Sequence, residues 1–241
     1  MTTSIAAINN NQNTHKIKAL AFDLDGTLID SLQDLTDAAN AMRVALNFLP
    51  LPSLQIERHI GDGITRLVHR SLTNERHTLA EPALFEKGYA LFLKYYGQNL
   101  TRHTRTYPGV IEGLSALKAA RFPMVVITNK SEHFAIQILK QLNLEKYFKL
   151  VLGGESLPQK KPDALPLLHA CEFLKIAATE LAMVGDSKND ILAARNADAL
   201  AVGVSYGFED VTQYNPDIII DSIASLPKIL NIKESGNALD D

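Results

Sequence analysis

At 241 residues, 46% of them hydrophobic, the chain is long enough for one substantial core plus a smaller accessory domain. A net charge of −3 and a pI near 6.2 exclude the basic stripe of a nucleic-acid protein, and no apolar run approaches the ~18 residues needed to span a bilayer. A single cysteine, Cys171, excludes an intrachain disulfide and is expected to pack in a helix.

Met1 to Ile8 lacks the basic start and long apolar middle of a secretion signal, so a cytoplasmic enzyme is expected. The Asn-rich stretch to His15 reads as a disordered tail, and the acidic end at Asp241 as a frayed one. Between them, Ala19-Leu20-Ala21-Phe22 predicts a buried strand that runs straight into Asp23-Leu24-Asp25-Gly26-Thr27. Two acids at such a strand end are either solvated turn residues, with Gly26 supplying the bend, or a working site. Carboxylates are rarely buried without partners, and doubly wound α/β sheets bind ligands outside the carboxyl ends of their strands.

From Ser31 to Phe48 the apolar residues Leu32, Leu35, Ala39, Met42, Val44 and Leu46 keep a largely helical spacing that ends at Pro50-Leu51-Pro52. Helical patterning continues to about Arg105 with no strand candidate, and a helix rich in Tyr and Phe covers residues 83–100. After Gly61-Asp62-Gly63, the residues Ile64, Leu67, Val68 and Leu72 share one face of a helix; Arg66, His69 and Arg70 lie opposite and meet either solvent or a cleft. This glycine loop has no preceding strand and carries Arg66 at the third glycine position, so a dinucleotide-binding reading is set aside. Tyr107-Pro108-Gly109 then opens a helix through Ala120, followed by strands near 123–128, 148–152, 181–185, 199–204 and 217–220 with helices between. Such alternation predicts a parallel sheet with right-handed crossovers. Pro166 fits the first turn of a helix starting at Asp163.

Two later strand ends carry matching chemistry: Thr128-Asn129, and Gly185-Asp186-Ser187-Lys188-Asn189-Asp190, with Lys160-Lys161-Pro162 between them. Each has a structural reading as well. Thr128 or Asn129 could cap a helix, the two lysines could be a solvated pair, and Ser187 and Asp190 could serve the first turn of a helix over 188–196. In this order, however, the Asp23-to-Thr27 motif, Thr128, Lys161 and the Asp186-to-Asp190 motif resemble the haloacid dehalogenase superfamily, from Lys18 to about Asp221. The runs Leu152-Gly153-Gly154-Glu155-Ser156, Lys161-Pro162-Asp163 and Val202 to Gly207 are most similar to its phosphoglycolate phosphatases.

The resemblance implies a doubly wound, Rossmann-like α/β core formed by residues 17–30 and 106–232, an inserted all-helical cap over 31–105, and tails at 1–16 and 233–241. It implies Asp23 as nucleophile forming an aspartyl-phosphate and Asp25 as general acid and base, roles that the chemistry of splitting one hard displacement into two also suggests. Thr128, Asn129 and Lys161 would bind the phosphoryl group. Two carboxylates ~4 Å apart repel by ~4 kcal/mol at an effective dielectric of ~20, so the acids need cations, and oxygen-only ligands suit Mg2+ better than zinc. By resemblance the metal is held by Asp23, the Asp25 backbone carbonyl and Asp186, with Asp190 orienting waters around it. Arg66, or failing that Arg70, is the candidate for a substrate carboxylate. His59, His69, His77, His103, His133 and His169 show no ligand spacing.

The expected activity is Mg2+-dependent hydrolysis of a small phosphorylated metabolite, 2-phosphoglycolate first, by a monomer or homodimer with no nucleic-acid or membrane partner. The alternatives are a β-phosphoglucomutase-like phosphotransferase, against which Thr27 argues, a pyrophosphatase or other sugar-phosphate phosphatase, and a catalytically silent phosphate-binding regulatory module.

Overall fold

The computed structural model describes residues 16–232; the expectations for the two tails, apart from Lys16, lie outside these residues. In chain order its elements are β1 (Ala19–Phe22), β2 (Ile29–Asp30), α1 (Leu32–Ala45), α2 (Ser53–Glu57), α3 (Ile64–Thr73), α4 (Pro82–Gln98), β3 (Arg105–Thr106), α5 (Val110–Ala119) and β4 (Met124–Ile127). There follow α6 (Glu132–Gln141), β5 (Val151–Leu152), α7 (Leu165–Leu174), β6 (Leu181–Gly185), α8 (Lys188–Asn196), β7 (Leu200–Val204), β8 (Ile218–Ile220) and α9 (Leu226–Ile229).

Six of these strands form one parallel sheet in the order β5-β4-β1-β6-β7-β8. Alternate residues of each strand face opposite sides, as a period of two requires. Leu20, Phe22, Met124, Val126, Ala182 and Val184 join the core shared with α5, α6 and α9, whereas Ala21, Val125, Ile127, Leu181, Met183 and Ala201 pack with residues of α7 and α8. Cys171 is among the latter, buried in α7 as its apolar surroundings predict. The chain builds outward from β1 through β4 to β5 and then resumes on the other side of β1 with β6. Outside the strand ends at that reversal, a doubly wound sheet opens a crevice.

Helices α1 to α4 form the inserted helical cap. Its apolar faces, including Leu35, Met42, Ile56, Val68, Phe92 and Tyr96, are continuous with the core on one side of the sheet. Pro82 opens α4 where no intrahelical N–H is needed, and the Glu81 carboxylate accepts from Leu84 N at 2.9 Å. The helix after Lys161-Pro162 begins at Leu165, two residues later than expected, because the Asp163 side chain turns to accept from Leu165 N at 2.8 Å. The sequence also gave no sign of β2 and β3, which pair antiparallel where the chain leaves and re-enters the core, Ile29 with Thr106 and Asp30 with Arg105. Strands of two residues are too short to show alternation. Beside them the buried Asp34 carboxylate accepts from His103 N, Thr104 N and Thr104 Oγ1 at 2.6–3.0 Å, joining the first turn of α1 to the returning strand.

Candidate active site

Strands β1, β4 and β6 end side by side, which brings Asp23, Thr128 and Asp186 together although they lie far apart in sequence. Asp23 Oδ1 accepts from Leu24 N at 2.7 Å and stands 3.1 Å from Lys161 Nζ. Asp186 is held by Thr27 Oγ1 at 2.9 Å and Phe208 N at 2.8 Å. Gly26 makes this closeness feasible. Its φ of +81° lies in the region open to glycine, and a Cβ there would collide with the Asp186 carboxylate. Tyr206 adds a hydroxyl bond to Thr27 O at 2.9 Å.

Lys161 is almost completely buried, with Nζ 2.5 Å from Asp190 Oδ1. The other Asp190 oxygen accepts from Ser187 N at 3.0 Å and Ser187 Oγ at 2.6 Å. Asp190 thus holds Lys161 toward Asp23 with both oxygens engaged, and its place in the first turn of α8 serves that purpose. Thr128 is buried beside the acids, and its Oγ1 accepts from Lys130 N at 3.2 Å, which leaves its own hydroxyl proton to point elsewhere. Asn129 also lines the cleft. Its side-chain amide donates to Gly61 O at 3.1 Å and Lys161 O at 2.9 Å, so it ties the lysine segment to the cap loop rather than offering its amide protons to a phosphate.

Asp23, Asp186 and Asp190 place one carboxylate oxygen each within 4.8 Å of one another. Burial, then the charge of Asp190, raise the Asp23 carboxyl to about 7 against the pull of Lys161 and the Leu24 amide. Asp186 is likewise pushed well above its ordinary value, by burial first and then by Asp190 and Asp23. Within the cluster one ammonium faces three carboxylates. Such an oxygen-only donor set, short of positive charge, fits a divalent cation.

Two side chains absent from the sequence reading complete the site. Lys130 Nζ contacts both oxygens of Asp25 at 3.0 and 2.9 Å, and Ser31 Oγ donates to Asp25 Oδ1 at 2.5 Å. A lysine just after a strand end reads as solvated; only the fold shows it turned inward, with a side chain 3% exposed.

The cap loop Gly61-Asp62-Gly63 closes over this cleft. Asn189 Nδ2 donates to Gly61 O at 3.2 Å and Asp62 Oδ1 at 3.0 Å, and Lys160 Nζ donates to Asp62 O at 2.7 Å. Gly61, Gly63, Ile64 and Leu67 line the cleft; Arg66 and Arg70 do not. Arg70 meets neither solvent nor cleft, which corrects the expectation for it. It is buried, donating to Asp62 Oδ2 at 2.5 Å and to the carbonyls of His59 and Arg76 at 3.0 Å, so its guanidinium is committed to shaping the loop. Arg66 is exposed and borders a separate basic cavity with Arg76, His77 and Lys160. His69 stacks on Phe85 at 4.0 Å between ring centroids, a packing role.

The model of the haloacid dehalogenase-like hydrolases matches residues 20–204, a span that includes Asp23, Asp25, Thr128, Lys161, Asp186 and Asp190. The chain belongs to this family. Among curated members, the phosphoglycolate phosphatase of Chromobacterium violaceum is 52% identical over 214 residues, covering 89% of this chain and 96% of that protein. The phosphoglycolate phosphatase of Neisseria gonorrhoeae is also 52% identical, over 83% of this chain and 85% of that protein. The crystal structure of a predicted phosphoglycolate phosphatase from Haemophilus somnus superposes with a TM-score of 0.84 at 34% identity, over 89% of this chain and 98% of that one. As a member of the haloacid dehalogenase-like hydrolases with relatives this close, the chain is a phosphatase, a hydrolase of phosphoric monoesters. Among the described residues no helix is long and apolar enough to cross a membrane.

Proposed function

We propose that this phosphatase hydrolyses 2-phosphoglycolate to glycolate and phosphate in the cytoplasm, through an aspartyl-phosphate on Asp23 and with Mg2+. The observation that carries the reading is Asp23 beside the buried Lys161, with Asp25 two residues on in the same cleft. Asp23, the Asp25 carbonyl and Asp186 would hold Mg2+, which would neutralise phosphoryl charge. Asp23 attacks phosphorus in line while the bond to the leaving oxygen breaks, and Asp25 protonates that oxygen. Water then attacks the aspartyl-phosphate, with Asp25 taking its proton and Asp23 released. Lys161 steadies the transferred charge, and the Thr128 hydroxyl donates to a phosphoryl oxygen; catalysis here is chiefly positioning and electrostatics.

The names of the relatives support the choice of leaving group. Arg66, on the helix whose first turn lines the cleft, stays the first candidate for the substrate carboxylate; its side chain borders a neighbouring cavity, so this role requires it to turn into the cleft, whereas Arg70 is committed to the loop. The test is a panel of specificity constants across 2-phosphoglycolate, sugar phosphates, nucleotides and pyrophosphate with Mg2+. 2-Phosphoglycolate should rank first, and a preference for glucose phosphates with little phosphate release would turn the reading to a mutase.

A further inference from the structure

Among the described residues, Lys130 is the one buried cation of the core that the phosphoryl chemistry above does not use. Taking an ammonium out of water is costly unless it is paired and hydrogen-bonded, and here the pairing is specific. Its Nζ contacts both oxygens of Asp25, while Tyr96 of cap helix α4 presents its ring face 4.8 Å from the same nitrogen. Tyr96 is fully buried and meets Phe134 of α6 edge-on at 5.3 Å, so the aromatic wall behind the ammonium is fixed from both cap and core. The backbone around Lys130 is fixed as well. Its N–H donates to Thr128 Oγ1 at 3.2 Å, and its carbonyl accepts from Gly154 N at 2.8 Å. With Ser31 Oγ on Oδ1, the Asp25 carboxylate is bound from two sides.

We infer that Lys130 is a positioning residue for Asp25, an ammonium clamp that fixes where that carboxyl group meets the leaving oxygen; the inference rests on the reading of Asp25 as the general acid. Proton transfer needs heavy atoms within hydrogen-bond reach along a defined line, and a carboxyl group two bonds from the backbone, gripped only by one serine, would sample several rotamers. In the phosphoryl-transfer step Asp23 Oδ bonds to phosphorus, the phosphorus–oxygen bond of the ester breaks, and the departing oxygen takes the Asp25 proton. Its partner distinguishes Lys130 from Lys161: Lys130 pairs with Asp25, whereas Lys161 faces Asp23 and Asp190.

The role predicts a dependence on the leaving group. An alkyl ester such as 2-phosphoglycolate needs the proton, whereas 4-nitrophenyl phosphate, whose leaving group is stable as an anion, needs it far less. The specificity constant reports steps up to formation of the aspartyl-phosphate, so subsequent hydrolysis does not blur the comparison. Lys130→Met should lower kcat/KM for 2-phosphoglycolate by roughly tenfold to a hundredfold, the range a charge-assisted hydrogen bond spans, and lower it for 4-nitrophenyl phosphate by only about twofold. Lys130→Arg should recover most of the difference. Asp25→Asn, assayed alongside, must show the same selectivity in larger measure. Equal losses on both esters in Lys130→Met, with Asp25→Asn selective, would overturn the clamp and leave a packing role. No selectivity in Asp25→Asn would overturn the reading of Asp25 itself. If Lys130→Met does not fold, Lys130→Gln, which keeps a neutral donor one bond shorter, takes its place, with a selective loss of about fivefold expected and an equal loss on both esters again overturning the clamp.

Discussion

Core and cap satisfy their buried charges in different ways. The core sinks Asp186 and Asp190 below its surface, sets Asp23 and Asp25 beside them, and answers with Lys130 and Lys161. The cap sinks Arg43, His59 and Arg70, and holds the two arginines largely on backbone carbonyls: Arg43 donates to Leu49 O and Ser71 O, and Arg70 to His59 O and Arg76 O. Acids crowded at strand ends cannot satisfy one another and so attract cations, including a metal and a phosphoryl group flanked by one. Guanidinium groups bound to carbonyls are already satisfied and stay where they are. The first arrangement makes a reactive site; the second makes a rigid wall for it.

The most severe disruption of the core arrangement is Asp23→Asn, expected to lower turnover by roughly a thousandfold or more while leaving the melting temperature unchanged or higher, since a crowded carboxylate is removed. Near-normal turnover, with deamidation excluded by mass spectrometry, would remove the nucleophile assignment. Next comes the metal. Chelation should silence the enzyme and Mg2+ restore it, and urea midpoints should expose the acids directly. Asp23 and Asp186 carry carboxyl groups raised above their unfolded values, Asp23 to about 7. Through these two groups the metal-free fold binds more protons than the unfolded chain, and their contribution to its stability falls as pH rises from about 4 to 7. Mg2+ competes with those protons, so the gap between midpoints with Mg2+ and with chelator should widen over the same interval; a gap independent of pH would place the metal elsewhere.

The cap should titrate the other way. Burial, reinforced by Arg70, Arg43 and Arg76, lowers His59 to about 4. Its neutral form stabilises the fold above the unfolded value near 6.5, and that contribution is lost as pH falls from about 6.5 to 4, on the order of 2–3 kcal/mol. His59→Gln should flatten this acid-side slope without altering the Mg2+-dependent one. If both slopes change together, cap and core are not electrostatically separate. The smallest effect is expected at Arg66. Arg66→Ala should leave the melting temperature within about 1 °C and reduce kcat/KM for 2-phosphoglycolate by about tenfold relative to an uncharged aryl phosphate. Equal losses on both esters would indicate a structural or closure role instead, and no loss on either would return Arg66 to solvent.

The same contrast explains what could be read from the sequence. Strand ends at Asp23, Thr128 and Asp186 were visible because each follows a short apolar run, and parallel pairing then makes sequence-distant ends neighbours. Fold class, helical cap and family followed from that order. Lys130 was missed because a lysine after Thr128-Asn129 looks identical whether it points outward or turns onto Asp25. Arg70 was misplaced for a related reason: its partners are chiefly the carbonyls of His59 and Arg76, which any residue would supply. The Asn129 amide reaches Gly61 O, a contact created only when the cap loop settles on the core, and Lys161 O, a partner far away in sequence.

The two-residue ribbon of β2 and β3, with Asp34 beside it, sets departure and return of the cap side by side. Seen as architecture, the cap is a guest admitted through a single doorway. Closing a long excursion at neighbouring points costs little more than closing a short one, and adjacent ends are the condition under which one module can be exchanged for another without disturbing the host. A phosphoryl-transfer sheet with such a doorway can keep its acids fixed while successive guests redefine which ester is admitted, so chemistry and selectivity are inherited as separable parts.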